Sequence, residues 1–528
     1  MRESMAAVAT LCSGANPADV DIRFTITGSI DGPSAGGILT VGILAALDRK
    51  PLLPGVTMTG TISPDGSIGP ISGAPTKIEA ASAAGYTTVL LPVQNMKDKT
   101  SSDGEASDMV AYGAKFGVAV KPVRTIAEAY EALTGASMFA AASQQYSMPA
   151  PVAVAGAATA SALIARIEDE LSVAPLPADR IAAIAHQADQ ARTALSEGDP
   201  ATAYGVAADA YQLLVKGHGE AQAKALIARD GLESAKRRLF IRIDESLAQA
   251  QALVISASDV SDLGLEQQLS MPTALGWVTY AEATLQALRQ STRGGFDEFE
   301  LLSATRVLAE ERAALDVFFP DALTVLHAMP SRDTSGDAKT VAFVSGYTNF
   351  LVRAGEANEA YLKTVLRADG SGSDPQNALP GDLSLTTLQL SGEAAEIPLD
   401  VETADAEVAQ SVRAIRYFVV SSSAVSSLQA LGLYGLSAAG EETIGSGDSA
   451  ALAASIGVGK RAIDSLAARL QEQGLDAGYA VWSASWGAAS ADFLQGDERS
   501  PDAALQSLYE IWYSSINVSI INAANAGT

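Results

Sequence analysis

Cysteine and histidine are nearly absent from this chain of 528 residues: one cysteine, Cys12, and three histidines, His186, His218 and His327. One cysteine allows neither an intrachain disulfide nor a cysteine-held metal centre. Cys12 lies in an apolar helical stretch and reads as a small buried hydrophobe. The histidines show no HxxxH or HExxH spacing and lie far downstream of the serine-bearing turn considered below. Zinc chemistry and a Ser-His-Asp triad are therefore set aside. Basic residues are also scarce, with 35 Lys and Arg against 61 Asp and Glu and a formal net charge of −26. Phosphate binding needs a basic surface, so this balance argues against nucleic acid as a partner. No GxxxxGK[ST] string occurs. The nearest, Gly457-Val458-Gly459-Lys460-Arg461, lacks the leading glycine and the Ser/Thr that would hold magnesium. The chain opens into an amphipathic helix, Arg2 to Cys12, without the charged and apolar regions of a signal peptide.

What is present suits a folded protein of several domains, because the length exceeds what one core serves. Residues 1–135 read as an α/β unit. A strand at Asp21–Ile26 precedes a Gly/Pro/Asp turn, and an apolar helix follows from about Ser34 to Leu47. Strands are expected at Val56–Ile62, Ser67–Ile71, Thr88–Pro92 and Val118–Pro122. Helices are expected at Lys77–Ala84, closed by Gly85, and at Ile126–Leu133, with a polar loop through Asn95–Asp108. Residues 136–160, rich in Ala, Ser and Pro, read as a linker to a helical domain at 161–366. Within it, Ala191–Leu214 turns at Gly198-Asp199-Pro200 and resembles a helical hairpin of tetratricopeptide type, without the full repeat signature. A Gly/Ser/Asp/Pro-rich break at 367–402 leads to a C-terminal helical region at 403–528. Residues 417–440 carry no charge and are long enough to span a membrane. Their serines and glycines favour a buried core helix instead. The apolar stretch Ile511–Ala526 could precede a spanning segment outside the sequence.

Two segments carry chemistry. In Asp31-Gly32-Pro33-Ser34-Ala35-Gly36 a tight turn delivers Ser34 to the start of a buried helix, with small neighbours that leave room for a substrate backbone. A serine there is ordinarily only a helix cap. In Ser72-Gly73-Ala74-Pro75-Thr76-Lys77 a lysine occupies the first turn of an Ala-rich helix, where the dipole disfavours a cation. It reads either as a solvated surface lysine or as an amine kept neutral to act as a base.

Together these segments resemble the Lon peptidase family, serine peptidases with a Ser-Lys dyad. The family shows a DGPSAG-like turn, then TGxI, then a Gly-Gly-x-x-x-Lys helix. Here they stand as residues 31–36, Thr59-Gly60-Thr61-Ile62, and Ser72 to Lys77, with Ser34 and Lys77 separated by 43 residues. Gly85-Tyr86-Thr87-Thr88-Val89-Leu90-Leu91-Pro92 and Val118-Ala119-Val120-Lys121-Pro122-Val123 extend the likeness over about a quarter of the chain.

The resemblance implies an α+β Lon proteolytic domain of the ribosomal protein S5 domain 2-like type, followed by a mainly α-helical region. It implies Ser34 as nucleophile and Lys77 as general base, with Thr59 holding the lysine amine. Asp31 would be a polar neighbour, and the backbone N–H groups of Gly32 and Ser34 the oxyanion donors. No cofactor or metal is expected. A β-rich segment that usually precedes the Arg2-Glu3-Ser4 helix is not in this sequence, so the domain is expected to be N-terminally incomplete. Ser72 also stands where the family has its first glycine.

With no ATPase motif, the chain resembles the stand-alone archaeal-type Lon-like peptidases. That implies an ATP-independent endopeptidase acting on unfolded proteins or peptides. A homo-oligomer and a membrane anchor outside this sequence are possible partners, and location leans to membrane-associated or extracytoplasmic. The alternatives are a weak or inactive Lon-fold scaffold whose helical region is an interaction platform, or a peptidase that merely processes its own chain.

Overall fold

The computed structural model describes residues 23, 34–62, 66, 68–69, 71–99, 106–138, 144–257, 263–292, 297–331, 351–356, 358, 413–418, 421–422, 446–493 and 501–527. The expected Arg2–Cys12 helix and Asp21–Ile26 strand, the turn at Asp31–Pro33 and nearly all of the uncharged stretch 417–440 lie outside them.

The N-terminal unit is built on a parallel sheet of three strands, β1 (Val56–Met58), β4 (Thr88–Pro92) and β7 (Ala119–Val123), in the order β1-β4-β7. Central β4 reads Thr-Val-Leu-Leu-Pro, a continuous apolar run, because both its faces are covered. Leu90 points to one face, where α1 (Gly36–Leu47) and α4 (Ile126–Thr134) pack through Val41, Leu44, Ala129 and Leu133. Val89 and Leu91 point to the other, against Ala74, Ile78 and Ala81 of α2 (Ala74–Ala83) and Met109 of α3 (Met109–Ala114). The spacing 74, 78, 81 is one helical stripe, which fixes how α2 is rolled on the sheet. The Tyr130 hydroxyl donates to Asp48 at 2.7 Å and ties α4 to the end of α1.

A short antiparallel pair, β2 (Thr61–Ile62) and β3 (Ile68–Gly69), connects β1 to α2. The stretch expected as a polar loop after Asn95 instead carries a second pair, β5 (Lys97–Lys99) and β6 (Ala106–Asp108). Its strands are polar, so no hydrophobic alternation betrays them.

The rest is mostly helical: α5 (Ala150–Leu171), α6 (Ala178–Ser196), α7 (Pro200–Asp230), α8 (Leu232–Ala257), α9 (Leu265–Ala274), α10 (Gly276–Ser291), α11 (Glu298–Ala313), α12 (Phe319–His327), α13 (Ser446–Glu472), α14 (Gly478–Phe493) and α15 (Pro501–Gly527). The segment read as a linker is helical from Ala150, because Pro149-Ala150-Pro151 starts the helix rather than breaking it. By length and composition α5 could cross a membrane. Its stripe of Val152, Leu163, Ile164 and Ile167 is buried in the helical core. The α6–α7 hairpin turns where expected, with the Asp199 side chain accepting from Thr202 N–H ahead of Pro200. The Gly457–Arg461 string lies inside α13, where Lys460 pairs with Asp464 at 2.5 Å.

The helical domain and the C-terminal region, expected as separate segments, share a core across α14. Trp486 stacks on Trp277 with ring centroids 4.5 Å apart, and Trp482 packs on Tyr204 at 5.0 Å. A Cβ on Gly205 of α7 would sit 2.6 Å from the Trp486 ring, so only glycine lets α14 approach this closely.

Buried carboxylates run through this core. Burial pushes Asp321 and Asp476 up to about 6 and Glu510 up to about 7, although Ser483 Oγ donates to Glu510 and Tyr204 to Asp321. A folded state that holds the proton more tightly is favoured at low pH. That contribution is complete below the unfolded value of 4.5 for Glu510 and is lost as pH rises through about 7. Glu510→Gln, which removes the buried charge, is therefore expected to raise the thermal midpoint relative to wild type at pH 8, with the gain vanishing by pH 5. A gain of equal size at both pH values would show that Glu510 is not the titrating group.

Candidate active site

The site forms just past the C-terminal end of β1, where parallel sheets commonly place their ligands. Ser34 precedes Ala35, the residue that caps α1, so Ser34 itself is not the cap. Its backbone is held from below. Gly60 N–H donates to the Ser34 carbonyl at 2.8 Å, and Thr59 Oγ1 donates to the same oxygen at 3.1 Å. Gly37 N–H returns a bond to the Gly60 carbonyl at 2.9 Å. These bonds stitch the start of α1 to the chain leaving β1. At Gly60 the approach requires glycine, since a Cβ there would lie 2.5 Å from Ile68 Cγ2.

Lys77 reaches this point from the opposite face of the sheet. It sits in the first turn of α2, beside the buried stripe of Ala74 and Ile78, and is itself half-buried. Gly73 ahead of the helix has φ 68°, a left-handed geometry that turns the chain into α2 at no side-chain cost. Lys77 Nζ donates to Ser34 Oγ at 3.2 Å, at the limit of a normal hydrogen bond.

The entry to α2 is clamped by two side chains from the segment after β4. Buried Asn95 accepts from Ile71 N–H and donates to the Ile71 carbonyl, both at 2.8 Å. Asp98 accepts from Ala74 N–H at 3.2 Å and from Asn95 Nδ2 at 3.3 Å. The pair satisfies a donor and an acceptor at Ile71 and one of the orphan amides of the first helical turn. Lys77 thus projects from a helix whose start is fixed to the sheet.

Of the residues expected from sequence, Ser34 and Lys77 come together. Thr59 lies at the site, but its hydroxyl donates to the Ser34 carbonyl rather than holding the lysine amine. Its position directly after β1 puts it under the serine backbone, which it braces. Asp31 and Gly32 lie outside the described residues. Asn95 and Asp98 were hidden in what reads as a polar loop. Gly60 was visible only as part of the Thr59-Gly60-Thr61-Ile62 match.

A serine hydroxyl set against a lysine amine is an arrangement suited to nucleophilic catalysis. Residues 16–110 match the C-terminal proteolytic domain of Lon protease (S16). Lon protease 2 of Bacillus subtilis (strain 168) is 41% identical over 86 residues, 16% of this chain and 16% of that protein. The Lon protease of Methanosphaera stadtmanae is 38% identical over 104 residues, 20% of this chain and 12% of that one. The archaeal Lon protease of Thermococcus kodakarensis is 34% identical over 114 residues, 21% and 16% of the two chains. The N-terminal unit is a Lon-type proteolytic domain, and the chain spans less than a fifth of the length of these relatives.

Replacing Asn95 by Ala leaves the Ile71 amide and carbonyl without partners, at a cost of about 1–3 kcal/mol. Faster amide exchange across residues 71–83 is expected in a hydrogen–deuterium experiment, with β7 unaffected. Asn95→Asp should not rescue it, because a carboxylate keeps only the acceptor and faces Asp98. Wild-type exchange in the alanine variant would remove Asn95 from the support of α2.

Proposed function

We propose that the chain is a serine endopeptidase that cleaves unfolded proteins or peptides without ATP, with Ser34 as nucleophile and Lys77 as general base. The observation that carries this reading is the 3.2 Å contact between Lys77 Nζ and Ser34 Oγ. In this reading Lys77, as the base, takes the hydroxyl proton as Ser34 Oγ attacks the scissile carbonyl, and then passes that proton to the departing amine. The acyl-enzyme left on Ser34 is then hydrolysed by water, with Lys77 again as the base. The N-terminal end of α1 directs its dipole at the developing oxyanion, and the backbone N–H of Ser34, with that of Gly32, would donate to it. Thr59 and Gly60 act through the serine backbone, and Asn95 and Asp98 through the lysine helix.

ATP independence is supported by the absence of a GxxxxGK[ST] string and by the helical geometry of its nearest counterpart in α13. In this reading the helical region gathers or holds the substrate for the N-terminal domain.

Turnover of casein or a quenched fluorescent peptide is expected to fall by about 10³-fold or more in Ser34→Ala and Lys77→Ala. Lys77→Arg should be equally inactive, since a guanidinium keeps its charge and cannot accept the serine proton. Added ATP should leave the wild-type rate unchanged. Equal turnover by wild type and these variants would overturn the peptidase reading, and a strict need for ATP would overturn its energy independence.

A further inference from the structure

Helix α14 meets its neighbours at glycine contacts that leave no room for water. A Cβ on Gly487 of α14 would lie 2.6 Å from Glu510 Cβ of α15, and one on Gly156 of α5 would lie 3.0 Å from Trp482 Nε1. With Gly205 of α7 against Trp486, α14 is approached at glycine distance from three helices. Three carboxylates converge on it from three further points of the chain. Glu510 of α15 accepts from Ser483 Oγ. Asp476, in the turn between α13 and α14, accepts from Gly478 N–H at 2.6 Å and fixes the start of the helix. Asp321 of α12 accepts from the Tyr204 hydroxyl at 2.8 Å, and the Tyr204 ring packs on both Trp482 and Trp486.

Each of these carboxylates is bonded to an uncharged donor, and none forms an ion pair with a described residue. α14 itself carries no Lys, Arg or His. The groups that face the three acids are nearly all neutral or acidic. Glu510 faces Ser483 and Tyr479 of α14. Asp476 faces Glu266 of α9 and Tyr146 ahead of α5, and Tyr146 in turn faces Asp464 of α13, which Lys460 engages. Asp321 faces Tyr204 and one cation, Arg166 of α5, which lies 3.9 Å from Glu170. A carboxylate that ionises in a dry contact without a counterion is unfavourable until water reaches it. Close packing on α5, α7 and α15 admits that water when α14 moves away.

We propose that α14 is a pH-operated clasp, closed on the helical core when Asp321, Asp476 and Glu510 carry their protons and loosened when they ionise. Burial raises Asp321 and Asp476 from 3.8 to about 6, and Glu510 from 4.5 to about 7. Groups held above their unfolded values stabilise the closed form fully at acid pH, and that contribution is lost as pH rises through 6 to 7. Loosening uncovers the faces of Trp482 and Trp486 that pack on Tyr204 and Trp277. Because all three acids bear on one helix, the opening is sub-global, and helices remote from it keep their packing. The clasp does not depend on the peptidase reading, since its test measures no cleavage.

The test is hydrogen–deuterium exchange on the full chain at pH 5 and pH 8, corrected for the pH dependence of chemical exchange. Protection of the α14 amides is expected to fall about tenfold or more between the two pH values, while α6 and β4 keep theirs. Asp321→Asn, Asp476→Asn and Glu510→Gln each keep an acceptor oxygen for the neighbouring donor while removing the charge. Each alone should reduce the fall, and the three together should leave α14 as protected at pH 8 as the wild type is at pH 5. Acrylamide quenching of tryptophan should rise from pH 5 to pH 8 in the wild type and stay level in the triple variant. Should the triple variant not fold by circular dichroism, the single variants decide the matter. Equal protection of α14 at both pH values would overturn the proposal, as would a fall undiminished in all three single variants. A fall of the same size in α6 would show general loss of stability in the helical region and would overturn it equally.

Discussion

The carbonyl oxygen of Ser34 is the point on which the site depends. It takes hydrogen bonds from Gly60 N–H and Thr59 Oγ1, and the return bond from Gly37 N–H to Gly60 closes the stitch. Without it, α1 could slide along the sheet while keeping nearly the same apolar contacts, because its surface is apolar around most of its circumference. Hydrophobic burial is non-directional and would hold α1 in place only loosely. The directional bonds convert a packed helix into one whose first residues have a defined position. Glycine at 60 is what allows so close an approach.

Lys77 is placed by independent means. Its helix lies on the other face of the sheet and is registered by the stripe Ala74, Ile78 and Ala81 and by the bonds from Asn95 and Asp98. Ser34 and Lys77 therefore share few supports, and the sheet between them acts as a rigid spacer. Small shifts on either side alter the 3.2 Å contact. Thr59 belongs to the serine side of this division and Asn95 to the lysine side.

Much of this was legible in the sequence, and the parts that were not have physical reasons. The apolar run of β4 and the turn chemistry around Gly85 mark their elements locally, and Ser34 and Lys77 stand in short motifs with a fixed spacing. Asn95 and Asp98 bond to backbone groups far along the chain, and a backbone partner leaves no residue-type signature. The residue type of Thr59 announces a hydroxyl but not the direction in which it donates, which is toward the Ser34 carbonyl. Composition misled at 150–160, where Ala, Ser and Pro suit a helix start as well as a linker. The stack of Trp277 on Trp486 joins distant segments, and neither tryptophan's neighbours hint at the other.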